Sequence, residues 1–248
     1  MILLTPSLVD GRENPNPFTL PNAIVLVGDV HGTAELPRYE IDLLNRLSKK
    51  RPVLLGLELR PDTAYLNCRS PKEDIPLSWS RANADGRTSI DNAMLACAAM
   101  KLERLGRIKI VYLDETTRSS SFDERAANVF ASAKAIYPDY TPLILAGNYH
   151  TMKGRTSIAT SLAALGQNVV SVTISSDDAS AAAWQCQRTG CGVHQLNIDF
   201  CPSTSETRNV LWRASDGDRW DYCLVLPKIT ASLPLDSIPA TNSIAATK

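Results

Sequence analysis

The chain has 248 residues, enough for one large α/β domain or two small ones with a sizeable core. Lys and Arg together number 26, as do Asp and Glu, so the net charge is zero. A neutral chain has no bulk electrostatic attraction to nucleic acid or to an anionic membrane, and no apolar stretch reaches the length of a membrane span. We therefore expect a small-molecule or peptide substrate, no nucleic acid and no membrane span.

The chain start and the cysteines give opposite indications about the cellular compartment. Residues 1–6 lack a basic region and hold only a short apolar run, so no signal peptide is visible. The six cysteines form no CxxC pair, which argues against a zinc knuckle, and their clustering suits disulfides in an exported protein. Ordinary buried thiols in a cytosolic enzyme are the alternative. We expect a cytoplasmic protein if Met1 is the native start, and a periplasmic or secreted one if a leader was removed. The cysteines are Cys68, Cys97, Cys186, Cys191, Cys201 and Cys223.

Buried strands alternate with amphipathic helices along most of the chain, which predicts right-handed βαβ units and a largely parallel sheet flanked by helices. Proline-rich residues 1–21 predict an extended N-terminal arm, and residues 22–230 predict a single α/β catalytic domain with an irregular β-rich C-terminal part. Within that domain, the polar segment 66–88 is a candidate lid loop. Residues 231–248, rich in Ser, Pro and Ala, predict a loose C-terminal tail.

The predicted elements follow from hydrophobic periodicity and from turn residues. The predicted strands are residues 23–28, 53–59, 108–113, 143–146 and 169–174, with shorter β pieces that include 193–198 and 222–226. The predicted helices are residues 37–50, 89–105, 122–136 and 157–165. In the second of these helices, Met94 and Leu105 are among the residues that we expect to face the core.

Polar residues recur where four of the predicted strands end. The first strand runs into Gly28-Asp29-Val30-His31, and the fourth into Gly147-Asn148-Tyr149-His150, so two of the three histidines occupy the same GxxH frame. Because the carboxyl ends of parallel strands meet at one edge of a sheet, we expect these side chains to share a cleft there. The other strand ends contribute Glu58 and the pair Asp114 and Glu115.

Two imidazoles and one carboxylate in a common cleft can do two kinds of work. As ligands, His31, Glu58 and His150 could hold a divalent transition metal (Mn, Fe, Co or Zn) that activates water. Without a metal, a histidine and the glutamate could act as general base and orienting group for water. Asp29 and Asn148 are expected to support the site, touching the substrate or orienting the other residues.

Several of these residues also have ordinary structural interpretations. Glu58 could simply pair with Arg60 or Arg38, and Glu35 could either bind substrate or cap its helix. Arg87 could hold a substrate anion, although a single arginine in a polar loop is commonly a surface residue. His194 is expected to be structural.

The motifs resemble a known superfamily. Residues 28–37 (GDVHGTAELP), 55–58 (LGLE) and 146–150 (AGNYH) are similar to the pattern, two GxxH motifs with an intervening glutamate, that unites Tiki/TraB proteins, ChaN-like haem-uptake lipoproteins and erythromycin esterases. The resemblance covers about residues 23–175. Residues 184–194 also resemble a cysteine-paired loop of exported bacterial members.

The resemblance implies an α/β fold whose active cleft is formed by His31, Glu58 and His150. Within this superfamily, Tiki members are described as metal-dependent proteases, erythromycin esterases as metal-free hydrolases of a macrolide ester, and ChaN as a haem binder. Many members carry glutamate where this chain has Asp29, so the acid here is one methylene shorter.

Our leading hypothesis is a metal-assisted hydrolase of an amide or ester bond. One alternative is a haem- or iron-binding protein, in which Tyr149 and the histidines serve as iron ligands; in a hydrolase, Tyr149 is instead a candidate substrate contact. Another is a non-haem iron oxygenase that uses the same two histidines and one carboxylate.

Overall fold

A seven-stranded sheet forms the centre of the protein in a computed structural model. The structure describes residues 16–71, 75–79, 86–114, 121–176, 178–188, 190–197 and 219–237, and the backbone of 211–213. Within these ranges no helix is both long and apolar enough to cross a membrane. Most of the predicted arm, parts of the candidate lid, Glu115, Cys201 and the end of the predicted tail lie outside the described residues.

The sheet is parallel except at one edge, as the alternation of strands and helices predicts. Its order is β3-β2-β4-β1-β5-β9-β8, and only the short strand β8 runs antiparallel to its neighbour. A separate antiparallel hairpin, β6 and β7, belongs to the C-terminal region. The strands are β1 (Ile24–Asp29), β2 (Val53–Leu57), β3 (Ile108–Tyr112), β4 (Thr141–Gly147), β5 (Val169–Ser176), β6 (Ala182–Gln187), β7 (Gly190–Gln195), β8 (Leu211–Arg213) and β9 (Tyr222–Leu226).

The helices begin at polar caps that the sequence supplies. The Ser89, Ser121 and Ser157 side chains each accept a hydrogen bond from a backbone N–H in the first turn of the helix that follows. Such caps satisfy donors that have no partner inside the helix. The helices are α1 (Glu35–Leu47), α2 (Ile90–Arg104), α3 (Phe122–Ile136), α4 (Asn148–Thr151) and α5 (Ile158–Ala164).

Both faces of the sheet are covered, so its central strands are buried along their whole length. Alternate residues of β1 point to opposite faces: Val25 and Val27 pack with α1 and α2, whereas Ile24 and Leu26 pack with α3 and α5. The polar residues of the sequence motifs lie at the carboxyl ends of these strands.

Two expectations about α2 and one about β2 were wrong. Met94 is 52% exposed and Leu105 is 58% exposed, because the buried stripe of α2 follows Ala96, Ala99 and Leu102 instead. The predicted stripe mixed two faces of the helix. Strand β2 ends at Leu57, so Glu58 lies just beyond the sheet rather than within it.

Residues 231–237 are not a loose tail. Ala231 forms a β-bridge with Thr33, Pro234 forms one with Ser89, and Leu235 is only 2% exposed. The Ser232 hydroxyl donates a hydrogen bond to a carboxylate oxygen of Asp91. Polar composition suggested a tail, but these long-range contacts hold the segment against the domain.

Disulfides account for the described cysteines, so the alternative of free buried thiols is wrong for them. Cys68 pairs with Cys97, which ties the start of the candidate lid to α2, and Cys186 pairs with Cys191 across the β6–β7 hairpin. Cys223 is disulfide-bonded as well. The described part of the candidate lid is also held by Trp79, which is 1% exposed and donates its indole N–H to Thr63.

Removing the Cys68–Cys97 bond should destabilise the protein more than removing the hairpin bond. The Cys68–Cys97 bond closes a loop with a sequence separation of 29 residues, and the Cys186–Cys191 bond one of only 5. From the entropy of loop closure in the unfolded chain, the first bond should contribute about 3–4 kcal/mol to the free energy of unfolding and the second about 2 kcal/mol. Urea unfolding of the Cys68→Ser/Cys97→Ser and Cys186→Ser/Cys191→Ser double variants measures the difference. Equal losses of stability would contradict this prediction.

Candidate active site

Three neighbouring strands bring the predicted residues together at the carboxyl edge of the sheet. In the order β2-β4-β1, Glu58 follows the first strand, His150 lies in α4 directly after the second, and His31 lies two residues beyond the third. Strand β4 ends at Gly147, between the other two strand ends. A side chain there would place its Cβ 3.0 Å from His31 Nε2 and 3.6 Å from Glu58 Oε2.

The Glu58 carboxylate is the centre of the cluster. Its Oε2 lies 3.5 Å from His31 Nε2, and its Oε1 lies 3.4 Å from His150 Nε2. The Gly147 backbone N–H donates a hydrogen bond of 2.8 Å to Oε2, and Arg87 Nη1 lies 3.2 Å from Oε1. The carboxylate is therefore fixed from four sides, with its side chain only 5% exposed.

Each histidine has a second carboxylate behind it. His31 Nδ1 lies 3.1 Å from Asp29 Oδ1, and His150 Nδ1 lies 2.6 Å from Asp123 Oδ1. The groups thus alternate in the order Asp29, His31, Glu58, His150, Asp123. The ring of Phe122 packs edge-on against His150, with ring centroids 4.7 Å apart. In each ring, the carboxylate at Nδ1 leaves Nε2 directed toward Glu58. The orientation of both rings is therefore fixed.

The charges of the cluster support one another. Burial alone would raise the pKa of Glu58, but His31, His150 and Arg87 outweigh it and lower that pKa to about 2. Burial lowers the pKa of His31, yet Asp29 and Glu58 hold it well above the ordinary histidine value. Burial likewise lowers the pKa of His150, and Asp123 and Glu58 raise it overall. The charge of His31 acts in the opposite direction and lowers the pKa of His150.

Arg87 is the arginine that pairs with Glu58, so the alternative in which Glu58 simply pairs with Arg60 or Arg38 is wrong. Arg87 Nη1 also lies 3.5 Å from Asp114 Oδ2, which is 3.4 Å from Arg60 Nε. Arg38 instead pairs with Asp91 of α2, at 2.9 Å. Arg87 is distant from Glu58 in sequence, and only the packing of its segment over the sheet edge brings them together.

The other predicted site residues, Asn148 and Tyr149, lie beside the cluster, and their described contacts are with other groups. Asn148 is 5% exposed and its Oδ1 accepts a hydrogen bond from the Thr173 hydroxyl. Tyr149 is 66% exposed, with Arg155 over its ring. Their roles, like that of Glu35, stay predictions.

Glu35 and His194 have local partners of their own. Both carboxylate oxygens of Glu35 accept hydrogen bonds from Thr230, one from its N–H and one from its hydroxyl. His194 lies in the hairpin strand β7, where its Nε2 is 3.3 Å from the Gly190 carbonyl oxygen. Glu35 thus fastens the segment that precedes Ala231 to the start of α1.

Sequence reasoning missed one acidic residue of the cluster, Asp123, and one buried acid of α1, Glu40. Asp123 has the position of an ordinary first-turn acid in α3, a common place for negative charge, so nothing local marks it as a partner of His150. Glu40 is fully buried on α1. It could have been noticed, because it falls on the same helix face as Leu36, Leu43 and Leu44, where an acid is unexpected.

The donor groups around Glu58 are engaged with one another rather than arranged around a metal position. Both histidines point Nε2 at Glu58, whose carboxylate is already engaged by the Arg87 cation and the Gly147 N–H. Across the described ranges, no group of three or more His, Cys, Asp or Glu side chains is arranged to hold a metal. Metal and haem binding stay predictions, and no step proposed below uses them.

The fold and this cluster define a parallel α/β domain with a His/Glu/His site at the carboxyl edge of its sheet. The same fold occurs in the erythromycin esterase EreC, solved as a mutant in its open conformation: TM-score 0.59, 11% sequence identity, covering 87% of this chain and 93% of that one. The fold that the motif resemblance implies is therefore confirmed.

Two further solved structures share the fold. The type III effector HopBA1 has a TM-score of 0.51 at 11% identity, covering 83% of this chain and 88% of its own. A protein from Bacillus cereus has a TM-score of 0.55 at 10% identity, covering 88% and 91%. No protein-family model and no curated protein matches the sequence. At these identities the comparisons establish the fold alone.

Replacing Gly147 with alanine should damage the site without unfolding the domain. The new Cβ would sit 3.0 Å from His31 Nε2, so the ring must shift by a few tenths of an ångström or more. We expect activity to fall by about 10–100-fold, as when a group that orients a reacting residue is disturbed. Gly192→Ala is the control, because no atom lies within 4 Å of its added Cβ and its backbone is not left-handed; activity assays and urea unfolding of both variants separate the two effects.

Proposed function

We propose that this protein is a hydrolase that activates water at the cluster of His31, Glu58 and His150 to cleave a carboxylic ester, with amides as the second substrate class. The observation that carries the proposal is Glu58, whose carboxylate lies between the two Nε2 atoms while another carboxylate backs each Nδ1. The shared fold with a protein named as an erythromycin esterase supports an ester as the first choice.

His150 is the proposed general base. Its side chain is 28% exposed against 21% for His31, so it is the imidazole with more access to water. Asp123 accepts a hydrogen bond from the Nδ1–H at 2.6 Å, so Nε2, the nitrogen that faces Glu58, is the one that would take a proton from water. The water oxygen then bonds to the carbonyl carbon, and the carbonyl oxygen becomes an oxyanion.

His31 is the proposed acid, because Asp29 and Glu58 keep its imidazole protonated. Its positive charge, together with that of Arg87, would stabilise the oxyanion, and its Nε2 proton would pass to the leaving alkoxide as the C–O bond breaks. The proton gained by His150 would return to His31 through Glu58, which both rings face. Each turnover then consumes one water and leaves both imidazoles as they began.

The proposed substrate contact follows from the solvent exposure of the side chains near His150. Tyr149 is 66% exposed and adjacent in sequence to His150, so it is the side chain that we propose to contact a substrate beside the base. Asn148, which is buried, and Glu35, which is hydrogen-bonded to Thr230, would support the site. A small molecule or a peptide would both suit a site at the open edge of the sheet.

Loss of either cluster histidine should nearly abolish hydrolysis. We expect His31→Asn and His150→Asn to lower kcat/KM by about 10²–10⁴-fold, the usual contribution of a positioned acid or base. The assay is a panel of p-nitrophenyl esters and matched anilides. His194→Asn is the control, since it alters the remaining histidine, in the β6–β7 hairpin. If the control and the cluster variants lose activity equally, the assignment is wrong.

The dependence of activity on pH should report the pKa of His150, which pairs with Asp123. The base must be neutral, so activity should rise with pH through an apparent pKa above the ordinary histidine value of about 6.5. In Asp123→Asn the hydrogen bond that raises this pKa is removed, so the acid limb should move to lower pH while kcat falls by at least about 10-fold. An acid limb that stays in place would assign the base elsewhere.

Treatment with a chelator distinguishes the metal-free proposal from the metal-assisted hypothesis. We expect EDTA-treated protein to keep its activity, because Arg87 already supplies a cation at Glu58. Activity that is lost and then restored by Mn, Fe, Co or Zn would instead support metal-assisted hydrolysis. An absorption band on haem titration, or oxygen consumption with ferrous iron, would support the haem-binding or oxygenase alternative.

A further inference from the structure

Arg87 reaches the central carboxylate from a short stretch of chain, residues 86–91, that lies directly on the loop of His31. We call this stretch the Arg87 segment. A Cβ added to Gly86 would be 2.9 Å from the carbonyl carbon of His31 and 2.9 Å from the backbone nitrogen of Gly32. The two backbones approach this closely because Gly86 has no side chain. The position of the guanidinium therefore depends on what holds these two parts of the chain together.

A C-terminal segment, residues 230–235, is hydrogen-bonded through its backbone to both parts at once. One set of bonds goes to residues 32–34, in the loop of His31, and the other goes to the Arg87 segment. The bonds are Ala34 N–H to Thr230 O at 2.9 Å, Ser232 N–H to Gly32 O at 2.8 Å, Ile90 N–H to Leu233 O at 2.9 Å and Leu235 N–H to Thr88 O at 3.1 Å. The C-terminal segment thus joins the two walls of the site that carry His31 and Arg87.

Ser232 is the residue of this segment whose own groups bond to both walls. Its N–H donates to the Gly32 carbonyl oxygen, and its hydroxyl donates to Asp91 Oδ2 at 2.7 Å. The same hydroxyl oxygen accepts the Asp91 N–H at 3.1 Å, and Ser232 is only 3% exposed. Arg38 holds the other oxygen of Asp91, at 2.9 Å. One buried serine therefore sets the spacing between the loop of His31 and the first turn of α2.

The first turn of α2 in turn holds the backbone of Arg87. The side-chain amide of Asn92 donates to the Arg87 carbonyl oxygen at 3.0 Å and to the Gly86 carbonyl oxygen at 3.4 Å. Asn92 follows Asp91 in the helix and is 5% exposed. Because a helical turn moves as a unit, a shift of Asp91 would carry Asn92 and the Arg87 backbone with it.

We propose that Ser232 is a positioning residue that holds Arg87 at Glu58 by joining the loop of His31 to the Arg87 segment. The inference rests on the proposed function, in which the Arg87 cation stabilises the oxyanion. Such a charge lowers the barrier only if it is already in place when the oxyanion forms. Without the serine hydroxyl, the first turn of α2 loses its bond to the C-terminal segment, and Arg87 is no longer fixed at Glu58.

The test compares Ser232→Ala with the same substitution at a buried serine that makes the same pair of bonds elsewhere. The Ser171 hydroxyl donates to Asp221 Oδ2 and accepts the Asp221 N–H, each at 3.2 Å, and Ser171 is fully buried. It lies opposite Leu26, away from the strand ends that form the site. We expect both variants to unfold at lower urea concentration than wild type. Only Ser232→Ala should lose about 10-fold in kcat, with little change in KM.

A double-mutant cycle shows whether the serine acts through the arginine. Arg87→Met removes the guanidinium and should lower kcat by about 10²-fold. Adding Ser232→Ala in that background should change kcat by less than about twofold, because the group that the serine positions is gone. If Ser232→Ala costs the same factor with and without Arg87, the inference is overturned.

A further readout needs no substrate. The Nε–Hε NMR signal of Arg87, assigned from its loss in Arg87→Met, reports the surroundings of the guanidinium. We expect this signal to move in Ser232→Ala and to stay in place in Ser171→Ala. Asn92→Leu, which removes the amide donor at similar side-chain size, should also move it, and this variant serves if Ser232→Ala does not fold. An Arg87 signal that stays in place in either folded variant contradicts the positioning role.

The readouts separate failure of this inference from failure of the proposed function. If wild type hydrolyses no ester or amide in the panel, but the Arg87 signal moves in Ser232→Ala alone of the two serine variants, Ser232 positions Arg87 and the proposed reaction is wrong. If wild type is active and the two serine variants lose activity equally, Ser232 serves only stability and the inference is overturned.

Discussion

The site depends on the absence of a side chain at the end of the middle strand. Gly147 closes β4 between β2 and β1, and its bare backbone lets Glu58 and His31 meet above it. The same residue donates its N–H to Glu58, so one position supplies both the space and a fixed hydrogen bond. His150 follows three residues later in α4 and approaches Glu58 from the other side. A parallel sheet with adjacent strand ends is what makes this convergence geometrically simple.

Charge balance explains how so many ionisable groups can be kept together under partial burial. Asp29, His31, Glu58, His150 and Asp123 alternate acid and imidazole, and Arg87 adds a cation at the central carboxylate. Each charged group lowers the free-energy cost of burying the oppositely charged group beside it, because their attraction offsets the loss of hydration.

Much of the fold could be read from hydrophobic patterning. The parallel sheet, the helix 122–136 and the strand 222–226 follow from apolar runs, polar caps and glycine stops that act over a few residues. The same reasoning was wrong where long-range contacts decide: Met94 lies on the outer face of α2, and residues 231–237 are held to Thr33 and Ser89 although their composition resembles a tail. Local pattern carries no information about which distant segment will cover a surface.

The sequence by itself determined the GxxH frames at Gly28 and Gly147 and the glutamate between them, because strand ends and their polar residues are local features. Only the tertiary structure decided that Arg87 rather than Arg60 pairs with Glu58, that Asp123 lies behind His150, and that Glu40 is fully buried. The strand order β2-β4-β1 differs from chain order, and helices α1 and α3 cover opposite faces of the sheet. These partners are therefore neighbours in space through packing alone.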